Sequence, residues 1–208
     1  MPINTADLLV FLTAALMLNL TPGNDMMYVL GQSIKGGVKS GVAASFGIAI
    51  GSLIHLALVA LGIAVILSQY PAVFDAIRWA GAAYLVWIAY KTLTTPAGRF
   101  AAQGAKRSVF AAWRDGVLVN SFNPKTIVFM FAFLPPFVRP ENGMPLLQLF
   151  IFGMIFNIGG TAVNCAVAAF AGRIGEKLSQ SRRLARGFSI VSASLFLMLA
   201  ARMAFERR

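Results

Sequence analysis

The chain has 208 residues, of which 58% are hydrophobic and only 12% charged, about half the ~25% of an ordinary soluble domain. A mean hydropathy of +0.75 is too high for a soluble globule and excludes disorder, which requires charge and few apolar residues. The net charge of +11 first suggests nucleic acid. However, the basic residues fall in short loops between long apolar runs, the pattern of a membrane protein with basic cytoplasmic loops, so no nucleic-acid partner is expected.

A span needs about 20 apolar residues to cross ~30 Å of hydrocarbon, and six are expected. The first covers about 8–30. Residues 1–6 carry no Lys or Arg side chain, so this run reads as a retained span and not a signal peptide. The second covers 41–67. The third, 72–90, has Asp75 and Arg78 in its first turns. The fourth covers 116–137, with a start as early as 109. The fifth, 146–172, is uncharged, and the sixth, 187–205, has Arg202 near its end.

Lys35 and Lys39 lie in the first loop, Lys91, Arg99, Lys106 and Arg107 in the third, and Arg173, Lys177, Arg182, Arg183 and Arg186 in the fifth. The second loop has no basic residue, and the fourth has only Arg139, offset by Glu141. Odd-numbered loops are therefore expected in the cytoplasm and both termini outside, although Arg207 and Arg208 run against that orientation. In the third loop, residues 106–114 mix apolar and basic side chains at helical spacing. They read either as an interfacial helix or as the snorkelling start of the fourth span.

Two motifs recur at an offset of 102 residues: Thr21-Pro-Gly matches Asn123-Pro-Lys, and Gly51-x-x-x-His55 matches Gly153-x-x-x-Asn157. With three spans per half, the second half must insert upside down, as in transporters built from inverted repeats. The expected fold is an all-α integral membrane protein. It forms one membrane domain over 1–208, with six transmembrane helices as two inverted three-helix repeats, about 1–93 and 109–208. A basic cytoplasmic loop over 94–114 joins the repeats.

Thr21 before Pro22, and Asn123 before Pro124, each resemble an N-cap followed by Pro at the first helical position. Inside apolar runs they predict first and fourth helices that break and restart in mid-membrane. The restart bares backbone N–H groups and a positive dipole end that attracts a carboxylate. An ordinary Pro kink is the plainer reading of one such motif; two at matched positions favour a polar chamber. Asp25 and Lys125 lie just beyond the prolines, where a charge costs ~2.5–3.5 kcal/mol. They read as an ion pair that either closes the broken helices or opens for a zwitterion, Lys125 taking its carboxylate and Asp25 its ammonium or a proton.

His55 shares a helix face with Gly47 and Gly51, whose lack of side chains admits a neighbouring helix; Gly153 holds the matching place in the fifth span. A satisfied interhelical hydrogen bond and a proton-coupling role are both open for His55. Asn157, Thr161 and Asn164 share one face, as pathway lining or as interhelical glue. Asn19 and Asn120, before the breaks, pose the same choice. Tyr84, Trp87 and Tyr90 read as packing or an interface belt, and Cys165 as a small core residue. As the lone cysteine it gives no internal disulfide or Cys-based zinc site.

Leu20-Thr-Pro-Gly-Asn-Asp-Met, Gly47-x-x-x-Gly51-x-x-x-His55, and Gly116 followed by Asn120-Ser-Phe-Asn-Pro-Lys125 together resemble, in order, the motifs of the LysE/RhtB superfamily of amino-acid exporters. The resemblance covers essentially the whole chain. Asn24 departs from it, standing where that family often has a second proline. The resemblance implies efflux of an amino acid or derivative such as threonine, homoserine or its lactone, lysine, leucine or cysteine. It further implies drive by the proton motive force in a bacterial inner membrane.

The expectation is a secondary exporter, not an enzyme, with no catalytic residues, metal or cofactor. Its partners are a small-molecule amino acid and membrane lipid; a homo-oligomer is open. Substrate contacts are assigned to Thr21, Pro22, Gly23, Asn24, Asp25, Asn120, Asn123, Pro124, Lys125, Asn157 and Asn164. Proton coupling is assigned to Asp25 and His55, and helix packing that lets the halves rock to Gly47, Gly51 and Gly153. An intramembrane enzyme finds no H-E-x-x-H, G-x-S-x-G or acidic metal cluster to support it. A membrane scaffold predicts no loss of function when Asp25 and Lys125 are neutralised together, and an exporter of another small solute or cation is the remaining alternative.

Overall fold

The computed structural model describes residues 3–69 and 108–171, together with single helical positions between 79 and 94 and between 186 and 201. Every regular element among them is helical. Helix α1, Thr5–Leu20, starts where the Asn4 side chain accepts from the Ala6 N–H at 2.9 Å. Helix α2, Asn24–Gly36, ends at Gly37, whose φ of 79° suits glycine. Helix α3, Val38–Gln69, follows at once. Helix α4, Val109–Ser121, is capped by the Ser108 hydroxyl, and α5, Pro124–Val128, by Asn123. A π turn over Phe129–Phe133 and a 3-10 turn over Pro135–Phe137 continue α5, and helix α6, Pro145–Ala169, completes the order.

Among the described residues two helices are long and apolar enough to cross a membrane alone, Val38–Gly62 and Pro145–Ala169. Two more crossings arise if each bent pair is one span: α1 with α2, bent by 47°, and α4 with Pro124–Phe137, bent by 52°. These are the first, second, fourth and fifth expected spans, and the fourth takes the earlier start, Val109. Ser108 to Arg114 open this span's helix and do not form a separate interfacial one; residues 106 and 107 lie outside the described residues. So do most of the third and sixth expected spans. Ala82, Ala89, Ala193 and Ala200, within those spans, are helical and buried in the larger core cluster.

Glycines set the closest packing. A side chain at Gly47 would overlap the Trp113 carbonyl oxygen of α4, and one at Gly51 would meet Asn120 Cβ at 2.8 Å. From the other side, a Cβ on Gly116 of α4 would stand 2.5 Å from the Ala44 carbonyl oxygen. Helices α3 and α4 thus touch backbone to backbone, as small-residue motifs allow in lipid. Gly153 of α6 receives the Leu56 side chain.

Two cores flank the breaks. One is aromatic, built on Phe11, Phe129, Phe133, Phe137, Phe152 and Phe156. The other holds only small and aliphatic buried residues, among them Val29, Ala44, Ala112 and Ala168.

Candidate functional site

The two breaks differ in chemistry. Pro22 drives its predecessor out of the helical region, and Thr21 lies at φ −68°, ψ 120° as the last cap of α1. Its hydroxyl donates to the Met17 carbonyl at 2.7 Å. Helix α2 restarts only at Asn24, behind Gly23, which has no side chain to cap it. The expected Thr21 N-cap with Pro22 at the first helical position is therefore corrected: the interruption is longer, and Thr21 closes the first half-helix. At the second break the predicted signature is present, with Pro124 at the helix start and the Asn123 side chain accepting from the Lys125 N–H at 3.0 Å.

Lys125 links the breaks. Its Nζ donates to the Thr21 carbonyl at 2.7 Å, an oxygen that the Pro22 interruption takes out of the helical ladder. Between the breaks is a cavity of about 30 Å³ lined by Asn19, Thr21, Gly23, Asp25, Met26, Asn123, Lys125, Thr126, Phe156, Gly160 and Asn164. That is room for about two waters and not for an amino acid, so an amino acid would bind only in a wider form of the chamber.

Asp25 occupies the chamber's polar end. Asn120 Nδ2 donates to its Oδ2 at 2.9 Å, and the Thr126 hydroxyl stands 3.5 Å from the same oxygen. Lys125 and Asn123 lie close enough to act on its charge. The expected direct Asp25–Lys125 ion pair is not made, however, because Thr21 O takes the ammonium and Asn120 takes the carboxylate. Three buried atoms here have no hydrogen-bond partner: Asp25 Oδ1, Asn120 Oδ1 and Asn123 Nδ2. Orphaned polar atoms are expensive in a low-dielectric interior. Asp25 and Asn123 line the cavity beside the Lys125 ammonium, an acceptor and donors that complement a ligand carrying both charges; Asn120 Oδ1 instead faces Gly51 of α3.

His55 is buried, and its Nε2 meets the Asn120 carbonyl oxygen at 3.2 Å. Asn120 is thus gripped by α3 through its backbone while its side chain holds Asp25. Asn157 turns away from the chamber, its Nδ2 donating to the Ala49 carbonyl of α3 at 2.9 Å, and Thr161 donates to the Asn157 carbonyl at 2.8 Å. The polar face of α6 is therefore divided: Asn164 lines the chamber and Asn157 fastens α6 to α3. Asn19 does both, lining the chamber and donating to the Phe156 carbonyl at 3.1 Å.

Pro22, Asn24 and Pro124 are exposed and line no part of the chamber. They shape the breaks from behind. Cys165 is half-buried, outside the core where it was expected. Trp87 and Tyr90 are exposed, as belt residues would be and chamber residues would not; Tyr84 lies outside the described residues. Among the described residues no group of three or more His, Cys, Asp or Glu is placed to hold a metal.

Met26, Thr126 and Phe156 also line the chamber, although the sequence pattern does not mark them as site residues. Thr126 follows directly on the N-P-K motif, and that adjacency was the available signal; Met26 and Phe156 look like any apolar residue of a span.

A family model described as LysE type translocator matches residues 16–207. The chain belongs to this family. Over 200 residues this LysE-type chain is 28% identical to a homoserine/homoserine lactone efflux protein of Salmonella typhimurium, covering 95% of each chain. It is 26% identical over 200 residues to a leucine efflux protein of Klebsiella pneumoniae, covering 94% of this chain and 93% of the relative. A membrane protein of Vibrio cholerae is 34% identical over 135 residues, 64% of this chain and 66% of its own. No solved structure matches the LysE-type chain.

Proposed function

We propose that this protein is a secondary active transporter that exports an amino acid or amino-acid derivative across the bacterial inner membrane, with the chamber between the two breaks as its binding site. The observation that carries the reading is the pair of unpartnered buried atoms in the chamber lining, Asp25 Oδ1 and Asn123 Nδ2, beside the Lys125 ammonium. A zwitterion satisfies both: its ammonium lies at Asp25, and its carboxylate at Asn123 and Lys125. The Lys125 ammonium keeps two N–H donors beyond the one given to the Thr21 carbonyl, and the chamber must widen to admit the cargo. Efflux proteins for homoserine and leucine among the relatives support an amino-acid cargo.

Protons are the proposed coupling ion. Asp25 is the carboxylate that would carry one, and His55 acts on it through Asn120. The two halves, about 1–93 and 109–208, form inverted repeats around the chamber in this reading, with the basic odd-numbered loops in the cytoplasm. The protein is not an enzyme here; the family is one of translocators.

The test is flux in proteoliposomes loaded with radiolabelled amino acids under an imposed pH gradient. Gradient-dependent movement of one amino-acid class supports the proposal. No movement of any amino acid by folded, inserted protein rejects that cargo.

A further inference from the structure

One feature lies outside the chamber's chemistry. Asp7, in the first turn of α1, is buried, and Arg139, in the loop before α6, reaches it with two contacts: Nε to Oδ2 at 3.1 Å and a terminal guanidinium nitrogen to Oδ1 at 3.4 Å. The Gln148 side chain, itself buried, clasps the Arg139 backbone, accepting from its N–H at 2.8 Å and donating to its carbonyl at 2.9 Å. It also donates to the Gly143 carbonyl at 2.7 Å. A fork-shaped ion pair fixed by a buried clasp is positioned far more firmly than an ordinary surface pair.

Its location gives it meaning. At 1.5 Å of rise per residue, Asp7 stands about 20 Å along α1 from Thr21 at the chamber wall. The interval is filled by phenylalanine rings. Phe156 lines the chamber and stacks on Phe129 with centroids 4.2 Å apart. Phe129 meets Phe133 at 4.8 Å, and Phe133 meets Phe137 at 4.9 Å. Phe11, fully buried, touches Phe129, Phe133, Phe137 and Phe152. The stack runs from the chamber towards the mouth that the ion pair bridges. In the second cluster the buried residues are small and aliphatic, with Met26, Met27 and Tyr28 packed against them.

We infer that the Asp7–Arg139 pair, held by Gln148, and the phenylalanine stack beneath it form one gate, shut in this structure, between the chamber and the membrane face at which α1 begins. The inference rests on the chamber being a solute path. The pair joins α1 to the end of the segment that follows Pro124, so it ties together both helix pieces that wall the chamber on that side. The stack keeps water out while the pair holds, and Gln148 acts as a positioning residue for Arg139.

Access can be read without knowing the cargo. Asn164→Cys in a Cys165→Ser background places a reporter thiol in the chamber. A membrane-impermeant cationic methanethiosulfonate is added to sealed vesicles on the face at which a Glu141→Cys control reacts. Labelling should be slow with the gate intact. It should accelerate about tenfold, equivalent to the loss of one firm contact, in Asp7→Asn, Arg139→Gln and Phe133→Ala. The charge-swapped Asp7→Arg/Arg139→Asp protein should return towards the slow rate. Unchanged labelling in single variants that elute as folded protein overturns the gate. So does equal acceleration from the opposite face, which would mean general loosening, and so does a charge swap that stays as fast as the singles. Should no single variant fold, a bifunctional thiol cross-linker joining Asp7→Cys to Arg139→Cys must block labelling from that face, reversibly on cleavage; labelling undiminished by the cross-link overturns the proposal. Labelling reports access and not cargo, so the gate stands or falls by it even if no amino acid is moved.

Discussion

Asp25 and Lys125 each have a partner that is not the other, and their substitutions should therefore differ. Asp25→Asn keeps the side chain's shape and a carbonyl oxygen for the Asn120 amide. It should abolish gradient-driven flux while the protein still inserts and elutes normally, as flux and size-exclusion chromatography on the same preparation would show. Lys125→Ala removes the donor to the Thr21 carbonyl, a loss of about 1 kcal/mol of stability, and should also raise the half-saturating substrate concentration; thermal unfolding and concentration-dependent flux separate the two effects. Both residues are legible in the sequence because a charge within an apolar run is costly and demands a reason. Asp7 and Arg139 are not legible in that way. They are 132 residues apart and lie at the ends of apolar runs, where charges are ordinary, so only the fold reveals them as a pair.

Helix boundaries follow the same logic. Both bends were legible from proline within apolar runs, yet the two restarts differ. Asn123 can cap α5 with its own side chain, whereas Thr21 commits its hydroxyl to the preceding turn and leaves Gly23 to begin α2. Asn123→Ala should therefore lower thermal stability by about 1 kcal/mol. The π turn over Phe129–Phe133 was not legible. Pro135 and Pro136 offer no N–H to the turn before them, and the Leu134 N–H reaches back to the Phe129 carbonyl at 3.0 Å instead. At the α3–α4 contact, Gly116→Ala should cost about 1–3 kcal/mol, as overpacking does, because its Cβ would press on the Ala44 carbonyl. Gly62, which has open space around it, is the control: Gly62→Ala should be neutral or stabilising by up to about 1 kcal/mol. Thermal unfolding in detergent compares the pair directly.

Across the whole molecule, the proposed orientation makes a simple prediction. In a Cys165→Ser background, Lys39→Cys should react with an impermeant maleimide only from the cytoplasmic side and Glu141→Cys only from the opposite side. The reverse labelling pattern would invert the topology while leaving the chamber unchanged. The sequence pattern suggested that small residues in the second and fifth spans would let the halves rock. At Gly47, Gly51 and Gly116 the packing is close enough to bear on that motion. There the main chains of α3 and α4 are in contact, with no layer of side chains between them to change rotamer and absorb a shear. Such a seam should resist shear, so α3 and α4, drawn from opposite halves of the sequence, are expected to travel as one piece. The mechanical frontier then lies within each half, at residues 21–23 and 122–123, and the parts free to swing are the short helices hinged there.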